Sequence, residues 1–187
     1  MPARRLLLTL VVALAACGTI RGVRAIEDLD ASLVRVTGVQ LGGMRIDLTP
    51  DGAIPIAAMM AVGAGALTGH VPFAADAIIR LENPASNRVT AEVLRSRWTL
   101  RLDERDLATG TLDERRSIPP GRSVELPVHI GLDLAEVFGR KPEKLLGFVA
   151  ALAGDRRKRL GVSLRLVPIL DTPLGGLPLP PISIPLA

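Results

Sequence analysis

The chain has a single cysteine, no tyrosine and only four aromatic residues, three phenylalanines and one tryptophan, among its 187 residues. One cysteine excludes an intrachain disulfide and a metal site built on paired thiolates. So few rings leave no stacking platform of the kind that holds single-stranded nucleic acid, and they argue against the sugars held the same way. The core must therefore be aliphatic, drawn from the leucine, valine, isoleucine and alanine of a chain that is 48% hydrophobic.

Catalytic patterns are scarce as well. The sequence has no Gly-x-Ser-x-Gly elbow, no phosphate-binding glycine loop and no recognisable carboxylate motif. Its two histidines, His70 and His129, stand without the cysteine, aspartate or glutamate spacing of a zinc site. The reading is a non-enzyme with no catalytic residue, no cofactor and no metal. The high pI, about 10.2, does not restore nucleic acid as a partner. Two of the 23 basic residues lie in the leader described below, leaving 21 against 19 acidic ones, and they are interspersed except in one cluster.

What the chain does have begins at its start. Arg4 and Arg5 precede an apolar stretch over residues 6–16, which ends in Leu14-Ala15-Ala16-Cys17 and is followed by Gly18. A basic start, a short apolar run and small residues make a secretory leader. As a helix the run would be about 16 Å long, roughly half the hydrocarbon thickness of a bilayer. The Leu-Ala-Ala-Cys run resembles the lipobox of bacterial lipoproteins at every position. That resemblance implies cleavage before Cys17, lipid on the Cys17 thiol, usually an acyl group on the new amino terminus, and a membrane as partner. Gly18, in place of an aspartate, points by the same resemblance to the periplasmic face of the outer membrane. The expected organisation is a leader over 1–16, a lipidated tether over 17–31 and one domain over 32–187.

Beyond residue 33 the dominant signal has period two. Ala77, Ile79 and Leu81 alternate with Asp76, Arg80 and Glu82; Trp98, Leu100 and Leu102 alternate with Arg97, Thr99, Arg101 and Asp103. Trp98 is expected to be the largest core side chain. A turn at Glu104-Arg105-Asp106 leads to residues 107–112 and predicts a hairpin. After Ile118-Pro119-Pro120-Gly121, residues 124–132 alternate again, and Pro127 marks an edge or a bulge because it has no N–H to donate. Val162, Leu164 and Leu166 predict another strand; a turn over 171–176 and a last strand over 182–186 follow. Residues 142–153 instead place Leu145, Leu146, Phe148, Val149 and Leu152 at helical spacing, with Pro142 suited to the first turn and Gly154 to the cap. Residues 133–138 could add a short turn ahead of it. The fold class is mainly β: an antiparallel β-sandwich with one added helix and an apolar insertion.

Taken in order, Ile78-Ile79-Arg80-Leu81-Glu82-Asn83-Pro84, Leu107-Ala108-Thr109-Gly110, Ile118-Pro119-Pro120-Gly121, Val124-Glu125-Leu126-Pro127-Val128 and Gly161-Val162-Ser163-Leu164-Arg165-Leu166 resemble the type 2 late embryogenesis abundant family, also called the water stress and hypersensitive response (WHy) domain. The resemblance implies a sandwich of the immunoglobulin or fibronectin type III kind and a part in tolerance of desiccation and envelope stress. It brings no catalytic residues. Asn83 and Pro84, its strongest local mark, also read as a structural stop, since proline ends a ladder and asparagine favours local turn bonds.

Two features depart from that pattern. The insertion over 51–71 holds residues 53–67 without a charge, including Ile54, Ile56, Met59, Met60 and Val62. It is either an apolar flap that touches lipid, with Met59 and Met60 as adaptable contacts, or a segment packed on the domain. Arg156, Arg157, Lys158 and Arg159 form the one basic cluster, read either as complement to a helix dipole or as a contact for anionic lipid. The function expected is a lipid-anchored envelope protein protecting through surface or partner binding, with an envelope protein or lipid as partner. The alternative is a periplasmic carrier of a lipid or other hydrophobic molecule.

Overall fold

Period-two alternation becomes ladder register in the computed structural model, which describes residues 26, 28–46, 55–93, 95–139, 141–152, 161–172 and 175–186. One antiparallel sheet has the order β2 (Met44–Arg45), β1 (Asp30–Leu41), β3 (Pro72–Asn83), β8 (Arg122–Asp133). A second has the order β10 (Gly175–Pro178), β9 (Val162–Thr172), β5 (Arg95–Leu102), β6 (Arg105–Leu112), with β11 (Ile182–Pro185) also on β9. A small two-stranded sheet joins β4 (Ala91–Val93) to β7 (Arg116–Ile118). The protein is thus mainly β, with antiparallel sheets and a few helices.

The expected faces are the observed ones. In β3 the buried apolar positions are Phe73, Ala75, Ala77, Ile79 and Leu81; in β8 they are Leu126, Val128 and Ile130. Trp98 and Leu100 of β5 and Val162, Leu164 and Leu166 of β9 supply the second sheet's share of the same apolar cluster. β1 meets β11 and β6 meets β8 across the two sheets. Each large aliphatic side chain enclosed there contributes about 1.5–3 kcal/mol. Pro127 sits on β8, an edge strand, where a missing donor costs no ladder bond.

Several expectations need correction. Among the described residues three helices of five residues or more, not one, accompany the sheets: α1 (Ile56–Thr68), α2 (Leu134–Phe138) and α3 (Pro142–Leu152). The insertion is itself helical, ending at Gly69 in the left-handed conformation that glycine adopts without strain (φ 77). Residues 134–138 form a separate helix because Asp133 caps them, its carboxylate accepting the N–H of Ala135. The folded unit also starts before residue 32. Ile26 and Leu29 are buried, and Asp30 pairs with Glu82, so an apolar pair and a strand start lie in what composition marks as tether.

Arg105 and Asp106, expected in a turn, already pair in the β5–β6 ladder, and the turn is Asp103-Glu104 with Asp103 at φ 53. Gly175 and Gly176, also expected in a turn, form β10 opposite Asp171 and Thr172. The proline-rich C-terminal stretch runs along β9 in two pieces, since an edge position tolerates proline. Trp98 lies in the core at 7% exposure, yet among the described residues the largest wholly enclosed side chain is Phe148 of α3.

Register gives the molecule two distinct poles. At one, Leu41 pairs with Phe73 and Pro72 with Asp133, so β2 and all three helices gather there, together with the Asp103-Glu104 turn. At the other, Asp30 pairs with Glu82 and Asn83 with Arg122. Twelve residues of β1 separate the two poles, about 40 Å at ~3.3 Å per residue.

Candidate functional site at the helical pole

α1 is a helix without charge, and the fold divides it lengthwise. Ala58, Val62 and Ala66, four residues apart, are buried, and Gly42 of the β1–β2 turn approaches Ala61 closely. The opposite stripe is solvent-facing: Ile56 is 72%, Met60 70% and Leu67 82% exposed, with Met59 at 41% beside them. The face toward Ala58, Val62 and Ala66 is thus packed on the domain, as one of the two sequence readings expected. Small side chains seat the helix closely, and the large ones project into solvent. Among the described residues no helix is long and apolar enough to cross a membrane.

α1 packs against α3, and the first turn of α3 lines a cleft of about 610 Å³. Leu102 of β5, Val137 and Phe138 of α2 and Gly147 of α3 give it apolar surface; Arg105, Glu143 and Lys144 stand around it. Behind Phe138 lies Phe148, 5.3 Å between ring centroids, and behind that Phe73 at 5.7 Å in an edge-to-face arrangement. Three of the four aromatics in the chain therefore form one row from the cleft into the core. Arg105 donates to the carbonyl of Val137 at 3.2 Å, which fixes the β5–β6 turn against α2. The sequence does not mark the walls of this cleft, because they come from β5, β6, α2 and α3, which only the tertiary fold brings together.

Near the cleft, Asp133 fixes the start of α2. One carboxylate oxygen accepts the N–H groups of Val71 and Ala135, each at 2.9 Å, and the other meets the imidazole of His70. Burial pushes this carboxyl upward, but the two backbone donors and His70 outweigh it and hold Asp133 below the usual aspartate range. His129 faces solvent, as its strand position implied, and its Nδ1 lies 2.5 Å from Asp76 Oδ1. On the outer face of the same sheet Glu125 takes Arg80 at 2.9 Å and Arg35 at 3.1 Å. Hydrogen bonding from Arg80, joined by Arg35, lowers its pKa. These pairs are solvated and screened, which suits a polar exterior.

The other sequence-marked residues lie apart from this pole. Asn83 is fully buried at the far end of β3, where its amide donates to the carbonyls of Ile118 at 2.7 Å and Val89 at 3.0 Å. It joins three chain segments and is the structural stop expected of it. Pro84 follows immediately as the strand ends. Cys17 and the basic residues Arg156, Arg157 and Arg159 fall outside the described residues.

No family model matches this chain, and no curated protein matches it. Solved structures resemble it at low identity. A solution structure of a protein assigned to the late embryogenesis abundant (LEA) group is 14% identical, with a TM-score of 0.36 over 94% of this chain and 84% of that one. A protein from Archaeoglobus fulgidus is 11% identical, with a TM-score of 0.33 over 79% of this chain and 91% of that one. The ApaA protein from Bordetella pertussis is 12% identical, with a TM-score of 0.35 over 85% and 94%. At such scores the likeness assigns neither family nor activity.

Proposed function

We propose that the chain is a lipid-anchored, non-enzymatic envelope protein of the type 2 LEA/WHy kind, with an immunoglobulin- or fibronectin-like sandwich that protects by surface or partner binding. The observation that carries this reading is the complete Leu14-Ala15-Ala16-Cys17 box, set nine residues ahead of Ile26, which lies by the start of β1 at the pole opposite α1, α2 and α3. Nine residues span at most roughly 30 Å. Lipid on Cys17 would tether the protein through the Asn83 pole and leave α1 and the cleft free to meet other molecules. The outer membrane follows from Gly18, and desiccation or envelope stress from the family resemblance of the Asn83-Pro84 strand. Two or three acyl chains would anchor the protein far more firmly than one.

The test is metabolic labelling with an alkyne fatty acid in a bacterial host, comparing the full chain with Cys17→Ser. The full chain should label and sediment with membranes; the variant should do neither and remain folded. Equal labelling of the two would defeat the anchor reading.

A second reading, a binder or carrier of hydrophobic molecules, is supported by the cleft. Its size lies within the range usual for small-molecule sites, and its apolar floor is backed by an aromatic row.

A further inference from the structure

We infer that the cleft at the helical pole selects a single-chain amphiphile with one negative charge, a long-chain carboxylate; the inference rests on the second reading above and names its ligand class. The cleft is divided by chemistry. Leu102, Val137, Phe138 and Gly147 offer surface that a hydrocarbon chain can cover, whereas Arg105 and Lys144 supply cations at the rim. Arg105 is held in place by its bond to the Val137 carbonyl, and that bond uses only one of the five N–H donors of the guanidinium. The others remain available to a planar carboxylate, the partner a guanidinium fits with two parallel bonds.

Glu143 stands on the same rim and sets the charge limit. Against two cations and one carboxylate, a monoanion completes a neutral set, whereas a dianionic phosphate monoester would leave one negative charge in excess beside Glu143. Neutral alcohols lose the contacts to Arg105 and Lys144, and cationic amphiphiles meet like charge. The tail has a defined direction, toward Phe138, because the row Phe138, Phe148, Phe73 lies inward of the rim.

The test uses the purified full chain carrying Cys17→Ser, titrated calorimetrically at pH 8 with dodecanoate below its micelle concentration and, separately, with dodecanol. Dodecanoate should bind more tightly than dodecanol. Lys144→Glu, a change at an exposed side chain, should weaken dodecanoate about tenfold, as expected for loss of a charge-assisted contact, and leave dodecanol unchanged. Val137→Glu should weaken both. Equal affinity for the two ligands, indifferent to Lys144→Glu, would overturn the charge selection while leaving a hydrophobic binder. Binding of neither ligand would overturn the binder reading itself, and binding indifferent to Val137→Glu would place the ligand elsewhere and remove this cleft from consideration.

Discussion

Trp98 lies directly over Gly110, its cross-strand partner: a Cβ added to the glycine would stand 2.5 Å from Cζ2 of the indole. Glycine inside a strand ordinarily costs stability relative to alanine, by about 0.5–1 kcal/mol. Here the missing side chain is the space the ring occupies. Gly110→Ala should therefore destabilise by about 1–3 kcal/mol, the usual cost of overpacking. Urea denaturation followed by tryptophan fluorescence measures it; a gain in stability would show that the indole moves aside freely.

Asn83 makes its contribution through its amide nitrogen, the shared donor to Val89 and Ile118. Replacement by alanine leaves both carbonyls without that donor, and the cost is about 2–4 kcal/mol on the scale of lost buried hydrogen bonds. Asn83→Asp presents a carboxylate to the same carbonyls. Its folded pKa would be raised, so its penalty should grow as pH rises past about 4 and ease in acid. Paired melts at pH 3.5 and pH 7 distinguish that sign from a simple loss of packing.

Asp133 titrates in the opposite sense. Its native pKa is lowered, so its contribution is complete above the unfolded value near 4 and is lost as pH falls through the lower native value. Asp133→Ala should cost about 1–2 kcal/mol at pH 7 through the lost cap. It should also flatten the decline of stability below pH 4 relative to the unmodified chain. Acid titration monitored by circular dichroism reads both effects, and an unchanged acid limb would deny Asp133 its share.

The stripe on α1 predicts a contrast between two faces of one helix. Ile56→Gln, Met60→Gln and Leu67→Gln together should alter stability by no more than about 0.5 kcal/mol per site, as surface changes do. They should reduce the fluorescence of an added hydrophobic dye. Val62→Gln, a change at a fully buried side chain, should destabilise severely by placing an amide without partners in the core. Similar melting temperatures for the two variants would contradict the division of the helix.

Legibility in the sequence followed the range over which each signal acts. The faces of β3, β5, β8 and β9 were readable because alternation is local and successive side chains of a strand point opposite ways. α3 was readable for the same reason at helical spacing. The turn at Asp103-Glu104 is expected instead at Glu104-Arg105-Asp106 because Arg105 and Asp106 are polar, and polarity marks exposure, not the end of pairing. Ile26 and Leu29 were missed because two apolar residues among charges carry no period. β10 was missed because glycine and proline signal a turn wherever edge pairing does not override them.

By itself, then, the sequence determined the inward faces of β3, β5, β8 and β9, the aliphatic character of the core and the pattern of two arginines and an apolar run ending at Cys17. Only the tertiary structure decided that α1, α2 and α3 share one pole and that the Asn83 amide ties three segments together. It alone decided that α1 buries its small side chains and presents its large ones, and that Phe148 and Phe73 stand behind Phe138 in a cleft also lined by Arg105 and Lys144. Those relationships depend on which strands pair and in what register, between residues tens of positions apart. Period-two alternation fixes a strand's face without naming its neighbour.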